Sequence, residues 1–183
     1  HVVLASSQSG ELVALDAETG TLLWQRRLLD TISGVPATSS TMTFVASRDQ
    51  HLRAFDTANG KLKWARLFDS PLLSGPVLKG NAVYQQVPGT GLIRFEATSH
   101  NAPSGIEVWT AADVQGDVIA TIGDLLLTWT PGTKRLQTVS SSTGSVDATV
   151  DTNRVSLMKT TNNTLLLLGS EGELECLQPS LGK

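Results

Sequence analysis

Gly10-Glu11-Leu12-Val13-Ala14-Leu15-Asp16-Ala17-Glu18-Thr19-Gly20-Thr21-Leu22-Leu23-Trp24 is answered 40 residues later by Gln50-His51-Leu52-Arg53-Ala54-Phe55-Asp56-Thr57-Ala58-Asn59-Gly60-Lys61-Leu62-Lys63-Trp64. Upstream of each copy, Leu4, Phe44 and Tyr84 keep the same step of 40, and so do Pro36 and Pro76. A fixed period of this length marks a repeat architecture. Later copies decay but stay in register. Phe95 lies 40 residues after Phe55, a turn five residues longer follows (Glu96 to Gly105), and Trp109 closes the third copy. The fourth copy carries Ser142-Thr143-Gly144, with Ala148 where Trp is expected. The fifth, from Gly172 to Gly182, aligns with Gly10 to Gly20 without a gap.

Each copy breaks into runs of four to six residues with apolar alternation, such as Thr43-Phe44-Val45-Ala46 and His51-Leu52-Arg53-Ala54-Phe55, separated by Gly, Asn and Asp. Such runs read as strands, and no amphipathic helix of ten residues is visible. About four strands per 40–45 residues predicts an all-β fold of four-stranded antiparallel propeller blades. The repeat boundaries fall at about 1–30, 31–70, 71–114, 115–152 and 153–183, within a single propeller domain. Closed propellers use about 4–8 whole blades. The first copy begins at its second strand and the fifth ends after its third, so these four and a half repeats are expected to form an arc of a seven- or eight-bladed ring. Missing sequence or another chain would complete it.

Asp16 and Thr19 are placed to hydrogen-bond backbone within a tight turn whose Gly20 tolerates positive φ; Asp56, Asn59 and Gly60 serve the same turn in the second copy. Trp24, Trp64 and Trp109 then stand on outer strands and are read as packing residues that cover the seam to the next blade. The frame Ala14, Asp16, Thr19, Gly20, Trp24 and its counterpart Ala54, Asp56, Gly60, Trp64 form the structural motif, with Gly105 and Trp109 its third partial copy.

These eleven-residue frames, Ala14 to Trp24 and Ala54 to Trp64, resemble the tryptophan-docking motif of the PQQ-type (pyrroloquinoline-quinone-type) propeller family. That resemblance covers essentially the whole chain and implies a fold rather than an activity. The family holds quinoprotein alcohol dehydrogenases, non-enzymatic BamB-like proteins of outer-membrane assembly, and luminal sensor or scaffold domains in eukaryotes. Its dehydrogenases hold the quinone against a ring formed by two adjacent cysteines, beside a calcium ion and an Asp base. Here Cys176 is the sole cysteine. The non-catalytic, BamB-like branch is therefore favoured, with neither PQQ nor calcium expected. The alternatives are a fragment of a PQQ-dependent dehydrogenase and a sensor or ligand-binding ectodomain. From the resemblance, the location is expected to be extracytoplasmic (periplasm or cell envelope), or the ER lumen in a eukaryote. The partners are expected to be other proteins, including a membrane-associated complex.

The remaining composition narrows the field. A net charge of −3, with Lys and Arg scattered, advertises no nucleic-acid surface. The longest apolar stretch, Val118 to Trp129, is cut by Asp124 and falls short of the roughly 20 residues of a membrane span. The chain opens on His1 with no signal-peptide pattern and is expected to be processed or excised from something longer. His1, His51 and His100 lack metal-ligand spacing and read as solvated residues. Cys176 reads as a small buried strand residue. Asn162-Asn163-Thr164 is a glycosylation sequon that matters only in a eukaryotic secretory protein. The extended third-copy turn departs most from the repeat, and Ser99, His100, Asn101 and Pro103 are the expected partner contacts.

Overall fold

The computed structural model describes residues 1–98, 105–152, 155–161, 164–169 and 172–177. All regular structure among them is β-strand, in five antiparallel sheets. The chain divides into two compact units, His1–Gln115 and Gly116–Lys183.

In the first unit, β1 (Val2–Ser6), β2 (Glu11–Asp16) and β3 (Leu22–Arg27) form a three-stranded sheet in sequence order. Two four-stranded sheets follow: β4 (Ala37–Thr38), β5 (Met42–Ala46), β6 (His51–Asp56) and β7 (Leu62–Leu67), then β8 (Val77–Lys79), β9 (Ala82–Val87), β10 (Gly91–Glu96) and β11 (Glu107–Ala111). These are propeller blades, each a meander whose strands pair with their sequence neighbours. The repeat is visible in the ladders. Leu4 pairs Ala14, Phe44 pairs Ala54 and Tyr84 pairs Arg94, while a register shift follows Ala14, Ala54 and Arg94 on the outer strand.

Alternation puts one set of side chains on each face, and both faces of the middle sheet are covered. Val45 and Phe55 pack with Leu12, Ala14, Trp24, Leu28 and Ile32 of the first sheet and its crossover. On the other face, Phe44, Ala54 and Trp64 pack with Val83, Ile93 and Phe95 of the third. β5 is accordingly buried along its whole length, and hydrophobic seams between sheets hold the unit together.

The second unit holds the four-stranded sheet β12 (Asp117–Ile122), β13 (Leu125–Thr130), β14 (Arg135–Ser140) and β15 (Val146–Asp151), and the three-stranded sheet β16 (Val155–Thr161), β17 (Thr164–Gly169) and β18 (Leu174–Leu177). Leu127, Leu136 and Leu167 form its core cluster, with Ile119, Ala120 and Trp129 packed against it. Cys176 departs from the expected burial: it is exposed, because β18 is an edge strand of its sheet.

Candidate functional site

The motif residues converge on the seams between blades. Trp24 stands on β3 opposite Ala14, and Trp64 on β7 opposite Ala54; both alanines are wholly buried, and their small side chains leave room for the indole. Each ring reaches across to the outer turn of the following blade. Trp24 Nε1 donates to the Thr57 carbonyl at 2.9 Å, and Trp64 Nε1 donates to the Ala97 carbonyl at 3.3 Å. Two residues on, Arg26 Nε donates to the Gly60 carbonyl at 2.7 Å, and Arg66 Nε to the Gly105 carbonyl at 3.1 Å. A Trp-x-Arg strand thus grips the next turn by two polar contacts around one apolar face. Trp109 on β11 pairs with Arg94 in place of an alanine, and its ring lies 5.9 Å from that of Tyr84.

The receiving turns are built as their residues dictate. Asp16 Oδ1 accepts from the Thr19 amide and hydroxyl and from the Glu18 amide, at 2.8, 2.9 and 3.1 Å. Those bonds, the Thr19 amide first, hold its carboxyl below the usual range. Asp56 is lowered chiefly by Lys63, whose Nζ is 3.0 Å away. Gly20 and Gly60 have φ of +69° and +66°. In the fourth copy Ser140 stands in for Asp, accepting the Thr143 amide at 3.4 Å before Gly144. The acidic residues of the motif are therefore occupied by their own turns.

A polar cluster that the repeat pattern does not disclose sits at the β5–β6 turn. Arg53 chelates Asp49 through both guanidinium arms, at 2.9 and 2.7 Å, and the Ser47 hydroxyl also donates to Asp49. His51 Nδ1 lies 2.7 Å from the Asp49 carbonyl oxygen. Desolvation is the largest influence on Asp49 and raises its pKa, but the Arg53 and Ser47 hydrogen bonds and the Arg53 charge together outweigh it and leave the pKa lowered.

At that same end of the first unit, the crossovers 28–36 and 68–76 run from each outer strand to the first strand of the next blade. They touch through backbone: a methyl group on Gly34 would lie 2.5 Å from the Gly75 nitrogen, and one on Gly75 would lie 2.5 Å from the Val35 carbonyl oxygen. On this crossover rim Leu29, Val35, Leu67 and Leu73 are 90, 81, 66 and 58% exposed. Four large aliphatic side chains held in water on a rigid frame suit docking rather than folding. Their positions do not repeat between copies, so the period alone could not find them.

Ser99, His100, Asn101 and Pro103 lie outside the described residues, as do Asn162 and Asn163 of the sequon. Among the described residues no three His, Cys, Asp or Glu side chains converge as a metal site. The described donors do not fit a quinone–calcium site: the cysteine is single and exposed on an edge strand, and the motif carboxylates are spent on turns. No described helix is long and apolar enough to cross a membrane.

Comparison with known proteins extends the geometric reading. The PQQ-type repeat family described as the outer membrane protein assembly factor BamB matches residues 1–93. BamB of Nitrosomonas eutropha is 29% identical over 105 residues, which cover 55% of this chain and 25% of that protein. The chain thus spans about a quarter of that relative's length. The crystal structure of BamB from Moraxella catarrhalis superposes with a TM-score of 0.75 at 18% identity, covering all of this chain and 62% of that one. The β-propeller domain of Cps50 (Swd1) from Myceliophteria thermophila gives 0.75 at 17% identity, covering 98% and 63%. The designed protein Ika8 also gives 0.75, at 14% identity, covering 97% and 55%. These likenesses establish the β-propeller fold.

Proposed function

The chain belongs to the PQQ-type β-propeller family of the outer membrane protein assembly factor BamB, and on that footing we propose that it is a non-catalytic scaffold for proteins of a membrane-associated assembly, on the extracytoplasmic side. The observation that carries this reading is the crossover rim, where Leu29, Val35, Leu67 and Leu73 expose large aliphatic surface at one end of a rigid stack of blades. Exposed apolar surface on a folded frame gains free energy when a complementary surface covers it, at about 25 cal/mol per Å². A non-enzymatic role is in keeping with motif carboxylates committed to turns and with a lone exposed thiol. Partnership with outer-membrane assembly proteins is carried over from the relatives' name, and a periplasmic location is part of the same proposal.

Affinity purification of the full-length protein from its native membrane-containing extract, followed by mass spectrometry, tests this function. Stoichiometric envelope proteins are the expected result. A protein that purifies alone, and instead binds PQQ and calcium on titration, would replace the scaffold with the dehydrogenase reading.

A further inference from the structure

The seam between the second and third blades holds a groove of about 430 Å³, lined in part by Arg66, Phe68, Asp69, Ile93, Phe95 and Glu107. The preceding seam indicates what such a place accommodates. Arg53 pairs with Val45 on one side and Ala65 on the other, and Ile93 pairs with Gln85 and Thr110, the same ladder positions one blade on. Arg53 shares its face of β6 with Phe55, as Ile93 shares its face of β10 with Phe95. Its carboxylate partner Asp49 corresponds to Gly89. Where one blade carries an Arg–Asp pair, the next carries Ile and Gly, and the groove opens.

We propose that this groove is a slot for one arginine side chain of a partner protein. Deepening the scaffold reading, the proposal rests on it. Asp69 and Glu107 bring two carboxylates and Arg66 one cation, so the lining is net acidic, in a chain of net charge −3. Arg66 is turned to the wall by its bond to Gly105, and Glu107 accepts from the Thr110 hydroxyl at 2.7 Å. Neither Asp69 nor Glu107 is in an ion pair among the described residues. Phe68, half-buried and edge to face with the buried Phe95 at 6.1 Å, supplies an aromatic wall for the aliphatic stem and the guanidinium plane. A planar fork matches carboxylates better than an ammonium does, which favours arginine over lysine.

The test is an NMR titration of the full chain with Nα-acetyl-arginine amide. The proposal predicts saturable shifts of the Thr90, Ile93 and Thr110 amides, with a dissociation constant on the order of millimolar for so small a probe. Capped citrulline, isosteric but uncharged, is predicted to give none. The exposed-site variants Asp69→Asn/Glu107→Gln and Thr110→Arg, the second filling the slot from its own wall, should each abolish the shifts while leaving the rest of the spectrum in place. Absent shifts, equal shifts with citrulline, or shifts that survive both variants would overturn the slot. Failure of the scaffold reading is seen separately, as a protein that purifies from its native extract without partners.

Discussion

Trp24 lies with its indole flat against Gly60 of the following blade: a methyl group there would be 2.6 Å from the ring's Cδ2. No side chain fits between them, so the contact fixes how close the first two blades stand. Gly105 meets Trp64 in the same way, at 2.8 Å.

Replacing that glycine separates docking from turn strain. Gly60→Ala forces a methyl into the indole and an L residue into φ of +66°, whereas Gly80→Ala, at φ of +57° with nothing within 4 Å, meets only the strain. The strain costs about 1–2 kcal/mol, and overpacking adds about 1–3 kcal/mol. Chemical denaturation should show Gly60→Ala clearly less stable than Gly80→Ala; equal losses would mean that the indole does not dock tightly.

The indole hydrogen bonds have their own signature. Trp24→Phe keeps an aromatic ring on Gly60 but leaves the Thr57 carbonyl without its donor. A loss of about 1 kcal/mol is expected, against about 3–5 kcal/mol for Trp24→Ala, which also empties the seam. Thermal melts of the two variants check the order.

Asp49 sets part of the acid limb of stability. Its pKa is lowered in the folded state, so its contribution is fully present above the unfolded carboxylate range near pH 4 and is lost as pH falls through the folded value. Asp49→Asn should therefore be less stable than the wild-type chain at pH 7, with the gap narrowing below about pH 4. A gap that stays constant through the acid limb would show that the Arg53 pair does not carry that dependence.

The period of 40 residues made the blades legible because each strand–turn–strand unit repeats its chemistry: Asp for the turn amides, Gly for positive φ, Trp for the seam. The same regularity hid what does not repeat. Arg53 and Ile93 stand 40 residues apart and so share one repeat position, but only the packing of the blades shows that a groove lies beside Ile93. Leu29, Val35, Leu67 and Leu73 could be core residues by composition, and only the crossover geometry exposes them. Cys176 reads as buried for a related reason: burial depends on what packs around β18, which local pattern does not encode.

Partners docked on the crossover rim lie within reach of a photo-crosslinker placed there, so site-specific photo-crosslinking in the native envelope would trap them. The probe is Val35→p-benzoylphenylalanine on that rim, with Ala58→p-benzoylphenylalanine at the β6–β7 turn, on the opposite end of the same blades, as control. A discrete protein adduct is expected from position 35 and none from position 58. No adduct at position 35, or the same adduct from both positions, would rule out docking on the rim.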